Sequence, residues 1–258
     1  MRSPAPDPSA PKATAVRAAP ERPEPDLQPP VDPPRFPVFS VDDSGPEWER
    51  LTTESLYEGP YIQLQSIRYR TPGRPDGGVT WTVARRKSAV IIAPQLADGR
   101  FLLIHQERLP VQRVLWEFPA GQIDQLERRE QRAEIVATAV RELAEETGHR
   151  LVPGVGRLQS LGYFFSSQGF TDEHAYLFVA GPVEPLPRSS GDLQPPALGE
   201  GDEHIAAVRP VSWAELGRMI DANEIRDANT LCLYARLCAR ARSDDPPGRP
   251  GAREIPAP

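Results

Sequence analysis

Residues 133–147 run without a proline or glycine, and Gly148 follows where a left-handed C-cap would close a helix, so the stretch predicts about four helical turns. At about 100° per residue, Glu142, Glu145 and Glu146 stand near 0°, 300° and 40°, which puts three carboxylates in one sector. Val136, Ala139, Val140 and Leu143 fill a neighbouring sector centred about 110° away, and Ile135 falls inside the carboxylate sector and blurs the division. A helix of this kind has to bury one stripe while holding its carboxylates at the edge of a cleft.

Like charges at i, i+3 and i+4 destabilise a helix, so a cation is expected among them. Hard oxygen ligands suit Mg²⁺ or Mn²⁺, and Mg²⁺ is often shared between a few carboxylates and substrate phosphates, which makes a pyrophosphate the natural substrate. The competing reading is a solvated acidic face with Arg141 as a local partner.

The flanking sequence supplies the sheet. Residues 61–69 and 79–84 alternate as two β segments across a turn at 71–78, giving a hairpin or small meander within an N-terminal β segment, 47–86. Residues 88–94 and 100–106 are continuously apolar, as in strands covered on both faces, with Ala97-Asp98-Gly99 between them. Strands at 156–165 and 174–180 follow the acidic helix, then a Pro/Gly-rich loop at 181–201 and a short strand at 202–210. Ser212 and Glu215 form a capping box at the start of another helix, and residues 227–242 form a last amphipathic helix. Strands, a carboxylate helix, more strands and two closing helices predict an α/β fold: an α/β/α sandwich around a mixed sheet, 87–242.

The ends read differently. Residues 1–40 hold 12 of the 31 prolines and few large apolar side chains, so 1–46 is expected to be a disordered extension and 243–258 a loose tail. Net charge −6 and a pI near 5.4 argue against a nucleic-acid or anionic-membrane surface, since those contacts usually need a basic patch. Without a signal-peptide core or a twenty-residue apolar run, the expectation is a soluble cytoplasmic protein. Cys232 and Cys238 pack as small apolar residues in the last helix rather than forming a disulfide framework.

Gly121, Arg141-Glu142-Leu143, Glu145-Glu146 and Gly148 together resemble the Nudix box, G-x5-E-x7-R-E-U-x-E-E-x-G-U. Nineteen residues separate Gly121 from Arg141 where the pattern has thirteen, so the first box glutamate is open among Glu127, Glu130 and Glu134. His149 takes the usually apolar last position. Gln106-Glu107-Arg108-Leu109-Pro110, Glu117-Phe118-Pro119-Ala120-Gly121, Ser167-Gln168-Gly169-Phe170-Thr171-Asp172-Glu173 and Glu203-His204-Ile205 are similar to segments of the ADP-ribose pyrophosphatase branch, with Gln168 where that branch has proline.

The resemblance implies a Nudix-type fold and Mg²⁺-dependent hydrolysis of a nucleoside diphosphate sugar, ADP-ribose foremost, to AMP and ribose 5-phosphate. The Ala120 carbonyl, Glu142, Glu145 and Glu146 would hold Mg²⁺ (or Mn²⁺), and Arg141 would orient the glutamates. Arg108 would meet a phosphate, and Gly169 and Phe170 would line the sugar side. Trp81 is either the adenine-stacking aromatic or an ordinary strand aromatic. Glu203 is the general base favoured by the branch, while Glu142 takes that role in other branches. A homodimer is implied. The alternatives are a hydrolase of GDP-mannose or another nucleotide sugar, and a non-catalytic Nudix-like binding or regulatory domain.

Overall fold

The computed structural model describes residues 27, 30–40, 45–123, 131–187 and 203–243. Two sheets organise them. β1 (Glu49–Glu58), β2 (Gln63–Thr71) and β3 (Arg74–Arg85) form an antiparallel meander. Asp76-Gly77-Gly78, part of the turn expected at 71–78, lies inside β3: it is absorbed where the pairing slips between Tyr69 and Thr71, and Gly78 takes φ 66° there.

The larger, mixed sheet is built on β4 (Ala89–Leu96), β5 (Phe101–Arg108), β8 (His149–Leu151), β10 (His174–Pro185) and β11 (Ile205–Val211) in the order β11-β5-β4-β10-β8. β6 (Arg113–Glu117) pairs with β5, β7 (Ala120–Gln122) with β4, and β9 (Arg157–Phe165) with β10. The β4–β10 pair is parallel. β10 runs to Pro185, so the loop expected from Gly181 begins later, and most of it lies outside the described residues.

β4 shows why the sequence folds this way. Val90 and Ile92 face one cluster with Ile135, Val136, Ala139 and Leu143 of α1 (Arg132–Thr147); Ile91 and Ala93 face the other, with Leu216 and Met219 of α2 (Trp213–Asp221) and Leu233 of α3 (Ala228–Ser243). Alternate residues of one strand thus serve both helical layers of an α/β/α sandwich. Fully burying an Ile or Leu side chain contributes about 1.5–3 kcal/mol, so α1 is held by its stripe rather than by helix propensity. Ser212 caps α2 by accepting from the Glu215 N–H at 3.2 Å, as the sequence predicts.

Residues 30–40 depart from the expected disordered extension. Phe36 is buried against Tyr176 and Phe178, its carbonyl accepts from Arg132 Nε at 2.6 Å, and Phe39 N–H donates to the Tyr176 hydroxyl at 3.1 Å. Two aromatics spaced by three residues outweigh the proline-rich composition around them. Among the described residues no helix is long and apolar enough to cross a membrane, and both cysteines are free.

Candidate active site

The β6–β7 joint and α1 build the site together. β7 pairs with the start of β4, Ala120 opposite Ile91 and Gly121 opposite Val90, and α1 packs across this edge. Gly121 is the cradle: a Cβ there would stand 1.8 Å from Glu142 Cδ and 1.9 Å from Glu142 Oε1, so only glycine lets the Glu142 side chain lie on this strand. The Ala120 N–H donates to Glu146 Oε2 at 2.7 Å, which fixes the second carboxylate one turn along the same helix face.

Both glutamates lie deeper than the cleft edge expected of them. Glu142 is 7% exposed and Glu146 fully buried, and Ile135, which blurs the pattern in sequence, is buried on the same helix. Arg141 spans the group. Its Nη2 meets Glu142 Oε1 and its Nη1 meets Glu145 Oε2, each at 2.7 Å, so the guanidinium orients two of the three glutamates. Glu146 is left with Oε1 unpartnered among the described residues. Burial, then the charge of Glu142, push its carboxyl well above the usual range.

Those features fit a divalent ion. A buried carboxylate with one unsatisfied oxygen, a second carboxylate beside it and the Ala120 carbonyl offer only hard oxygen donors, the set Mg²⁺ prefers. Among the described residues no three His, Cys, Asp or Glu side chains already stand as a metal cage, and Arg141 holds Glu142 and Glu145 in ion pairs. Glu134 sits in the first turn of α1, while Glu127 and Glu130 lie outside the described residues.

Arg108, at the end of β5, reaches across the hairpin to Glu117. Nε lies 3.1 Å from both carboxylate oxygens and Nη2 2.6 Å from Oε2. Burial opposes its charge, but Glu117, Glu146 and Glu203 together outweigh burial and keep the guanidinium pKa raised. Nη1 makes no hydrogen bond among the described residues, which leaves one face of the fork for an anion. Glu203 is exposed just before β11, where His204 O accepts from Glu107 N–H at 2.9 Å. Its charge acts on both Glu146 and Arg108, so it belongs to the same cluster.

Trp81, Gly169 and Phe170 form a second cluster. Trp81 Nε1–H donates to Gly169 O at 2.7 Å, Ala84 N–H donates to Phe170 O at 2.8 Å, and both aromatic rings are exposed. Arg85 to Asp172 at 3.0 Å and Arg86 to Glu173 at 3.1 Å complete the seam between β3 and this loop. These hydrogen bonds and ion pairs run within the seam itself. The loop enters β10 where Ala175 pairs with Ala89, and Ala89 pairs with Gln122 on its other side, so the two clusters flank the same end of β4.

Sequence reasoning quoted Glu117 as part of a motif but gave it no role as the anchor of Arg108, and it did not single out Thr230 or Asp227. Thr230 Oγ1 accepts from Phe118 N–H, and Thr230 N–H donates to Asp227 Oδ2, each at 2.8 Å. An Asp followed three residues later by Thr at a helix start was the available signal.

The NUDIX domain family model matches residues 84–234. The chain is 28% identical over 184 residues to the ADP-ribose pyrophosphatase of Bacillus subtilis (strain 168), covering 71% of this chain and 89% of that protein. It is 28% identical over 190 residues to the ADP-ribose pyrophosphatase of Mycobacterium tuberculosis (strain ATCC 25618 / H37Rv), covering 73% and 84%. A methanol dehydrogenase activator of Bacillus methanolicus is 28% identical over 134 residues, covering 52% and 66%. A crystal structure of an ADP compounds hydrolase superposes with a TM-score of 0.58 at 17% identity, covering 78% of this chain and 97% of the other, a likeness of fold.

Proposed function

The chain belongs to the NUDIX domain family and is a hydrolase of that family, and we propose that it cleaves the diphosphate bond of a nucleoside diphosphate sugar, ADP-ribose foremost, to AMP and ribose 5-phosphate. The observation that carries this is the buried Glu142–Glu146 pair on Gly121 and Ala120, with Glu146 Oε1 unpartnered, in one electrostatic cluster with the half-committed fork of Arg108. The two ADP-ribose pyrophosphatases among its relatives favour the adenine nucleotide.

The Ala120 carbonyl, Glu142, Glu145 and Glu146 would hold Mg²⁺ (or Mn²⁺), which when bound supplies neutralisation of the diphosphate and activation of water. Arg141 keeps Glu142 and Glu145 in place, and Arg108 offers Nη1 to a phosphate oxygen while Glu117 holds its other edge. Glu203 accepts the proton of the attacking water. It is exposed and its charge acts on Glu146 and Arg108, whereas Glu142 is buried and its Oε1 is taken by Arg141. Trp81, anchored to Gly169, stacks on the base, and Phe170 lines the sugar side.

This reading keeps 87–242 as the hydrolase domain and 47–86 as an N-terminal β segment. It adds a homodimer formed through the three-stranded sheet, whose Leu56 and Tyr57 are exposed, as is Trp48 just before β1, and a cytoplasmic location. Sedimentation should give twice the mass of 28.5 kDa. Incubation with Mg²⁺ and a panel of nucleotide sugars tests the reaction. Release of AMP from ADP-ribose at the highest rate supports it, GMP from GDP-mannose at a higher rate would move the substrate, and no monophosphate from any compound would leave a binding domain.

A further inference from the structure

Helix α3 is hydrogen-bonded to the active-site edge at the joint between β6 and β7. β6 ends at Glu117 and β7 begins at Ala120, and of the two residues between them Pro119 has no N–H, so Phe118 carries the one backbone donor. That N–H is held by Thr230 Oγ1 at 2.8 Å. Thr230 and Phe118 are both fully buried, so water cannot replace the bond. Thr230 is fixed in turn, its own N–H donating to Asp227 Oδ2 in the first turn of α3.

The joint stands between two residues that matter for the reaction. On one side Glu117, 2% exposed, grips the Arg108 fork; on the other the Ala120 N–H grips Glu146. Pro119 O accepts from Ile92 N–H at 2.9 Å, which ties the same joint to β4. Asp227 also lies close enough to Glu117 and Arg108 for their charges to act on it.

We propose that Thr230, fixed by Asp227, is a positioning residue for the hydrolysis: by holding the Phe118 N–H it sets both where Glu117 presents Arg108 and where Ala120 presents Glu146. The inference rests on the proposed function for its effect on turnover, but not for its effect on the joint. A buried threonine could equally serve packing alone, and the two roles separate by substitution. Thr230→Val keeps the shape and removes the acceptor; Thr230→Ser keeps the acceptor and removes a methyl.

The test measures amide hydrogen exchange of the full chain without substrate, and kcat and KM with ADP-ribose and Mg²⁺. In Thr230→Val, protection falls at Ala120 and Ile92, neither of which touches residue 230 through a hydrogen bond, and kcat/KM falls by about 10- to 100-fold with changes in both KM and kcat. Thr230→Ser restores exchange and kinetics to near wild type. Wild-type protection at Ala120 and Ile92 together with wild-type kinetics in folded Thr230→Val would overturn the proposal, as would Thr230→Ser being as impaired as Thr230→Val. If the wild-type protein hydrolyses none of the nucleotide sugars, the proposed reaction fails, and exchange at Ala120 and Ile92 alone decides the joint. Should Thr230→Val not fold, Asp227→Ala, which removes the anchor of Thr230 and leaves the Thr230 acceptor in the chain, is read by the same two amides.

Discussion

Gly121→Ala adds one methyl group where the structure has no room for it. The new carbon would lie 1.8 Å from Glu142 Cδ and 2.2 Å from Glu142 Cγ. Ordinary carbon contacts begin near about 3.5 Å, so the carboxyl has to retreat by about 1.7 Å. It has little freedom to do so, being 7% exposed and bonded through Oε1 to Arg141. Overpacking and a broken buried ion pair together cost about 2–4 kcal/mol, which lowers the unfolding midpoint by roughly 4–16 °C for a chain of this size. A displacement of about 1 Å at a reacting centre already costs about a hundredfold, so turnover of ADP-ribose falls at least that far. Thermal melts and initial rates on the same preparation measure both. A Gly121→Ala protein with unchanged midpoint and turnover would refute the placement of Glu142 over Gly121 and its role in the reaction.

Three other substitutions probe the rest of the site. Glu203→Gln should lower kcat by about 10²- to 10⁴-fold with little change in KM, and a loss under about tenfold in steady-state rates would remove it as the general base. Trp81→Ala should raise KM for ADP-ribose about 5- to 100-fold while sparing kcat, because base stacking contributes binding rather than chemistry; an unchanged KM would make Trp81 an ordinary strand aromatic. Asp227 is raised from 3.8 to about 6 by burial first and Glu117 second, with Arg108 and the bonds to Thr230 opposing. Its folded pKa exceeds the unfolded one, so it removes stability as pH rises from about 4 to about 6. Asp227→Asn, which keeps an N-cap oxygen, should therefore unfold at higher urea than wild type at pH 7, by up to about 3 kcal/mol, and match it at pH 4. Equal midpoints at both values would contradict the buried charge.

What could be read from the sequence was what depends on local spacing. The helix expected at 133–147 is Arg132–Thr147, closed by Gly148 at φ 67°, and the apolar runs at 88–94 and 100–106 are β4 and β5. The features that escaped depend on distant residues meeting. The β5–β6 hairpin turns on Gln112 at φ 52° rather than on a glycine or asparagine, so nothing marked it, and the grip of Glu117 on Arg108 went unseen with it. The docking of Phe36 depends on Tyr176 and Phe178 far along the chain, and the Thr230–Phe118 bond spans 112 positions. Glu142 and Glu146 share a face by periodicity alone, but their burial depends on Gly121 and Ala120 arriving from another strand.

The central claim is that the buried carboxylates of α1 carry out metal-assisted cleavage of a nucleotide sugar. Its most direct test is AMP release from ADP-ribose, resolved by chromatography, for wild type and Glu146→Gln side by side with and without Mg²⁺. The account predicts Mg²⁺-dependent AMP and ribose 5-phosphate from wild type and none above background from a folded Glu146→Gln protein. Equal AMP release from both proteins would contradict it.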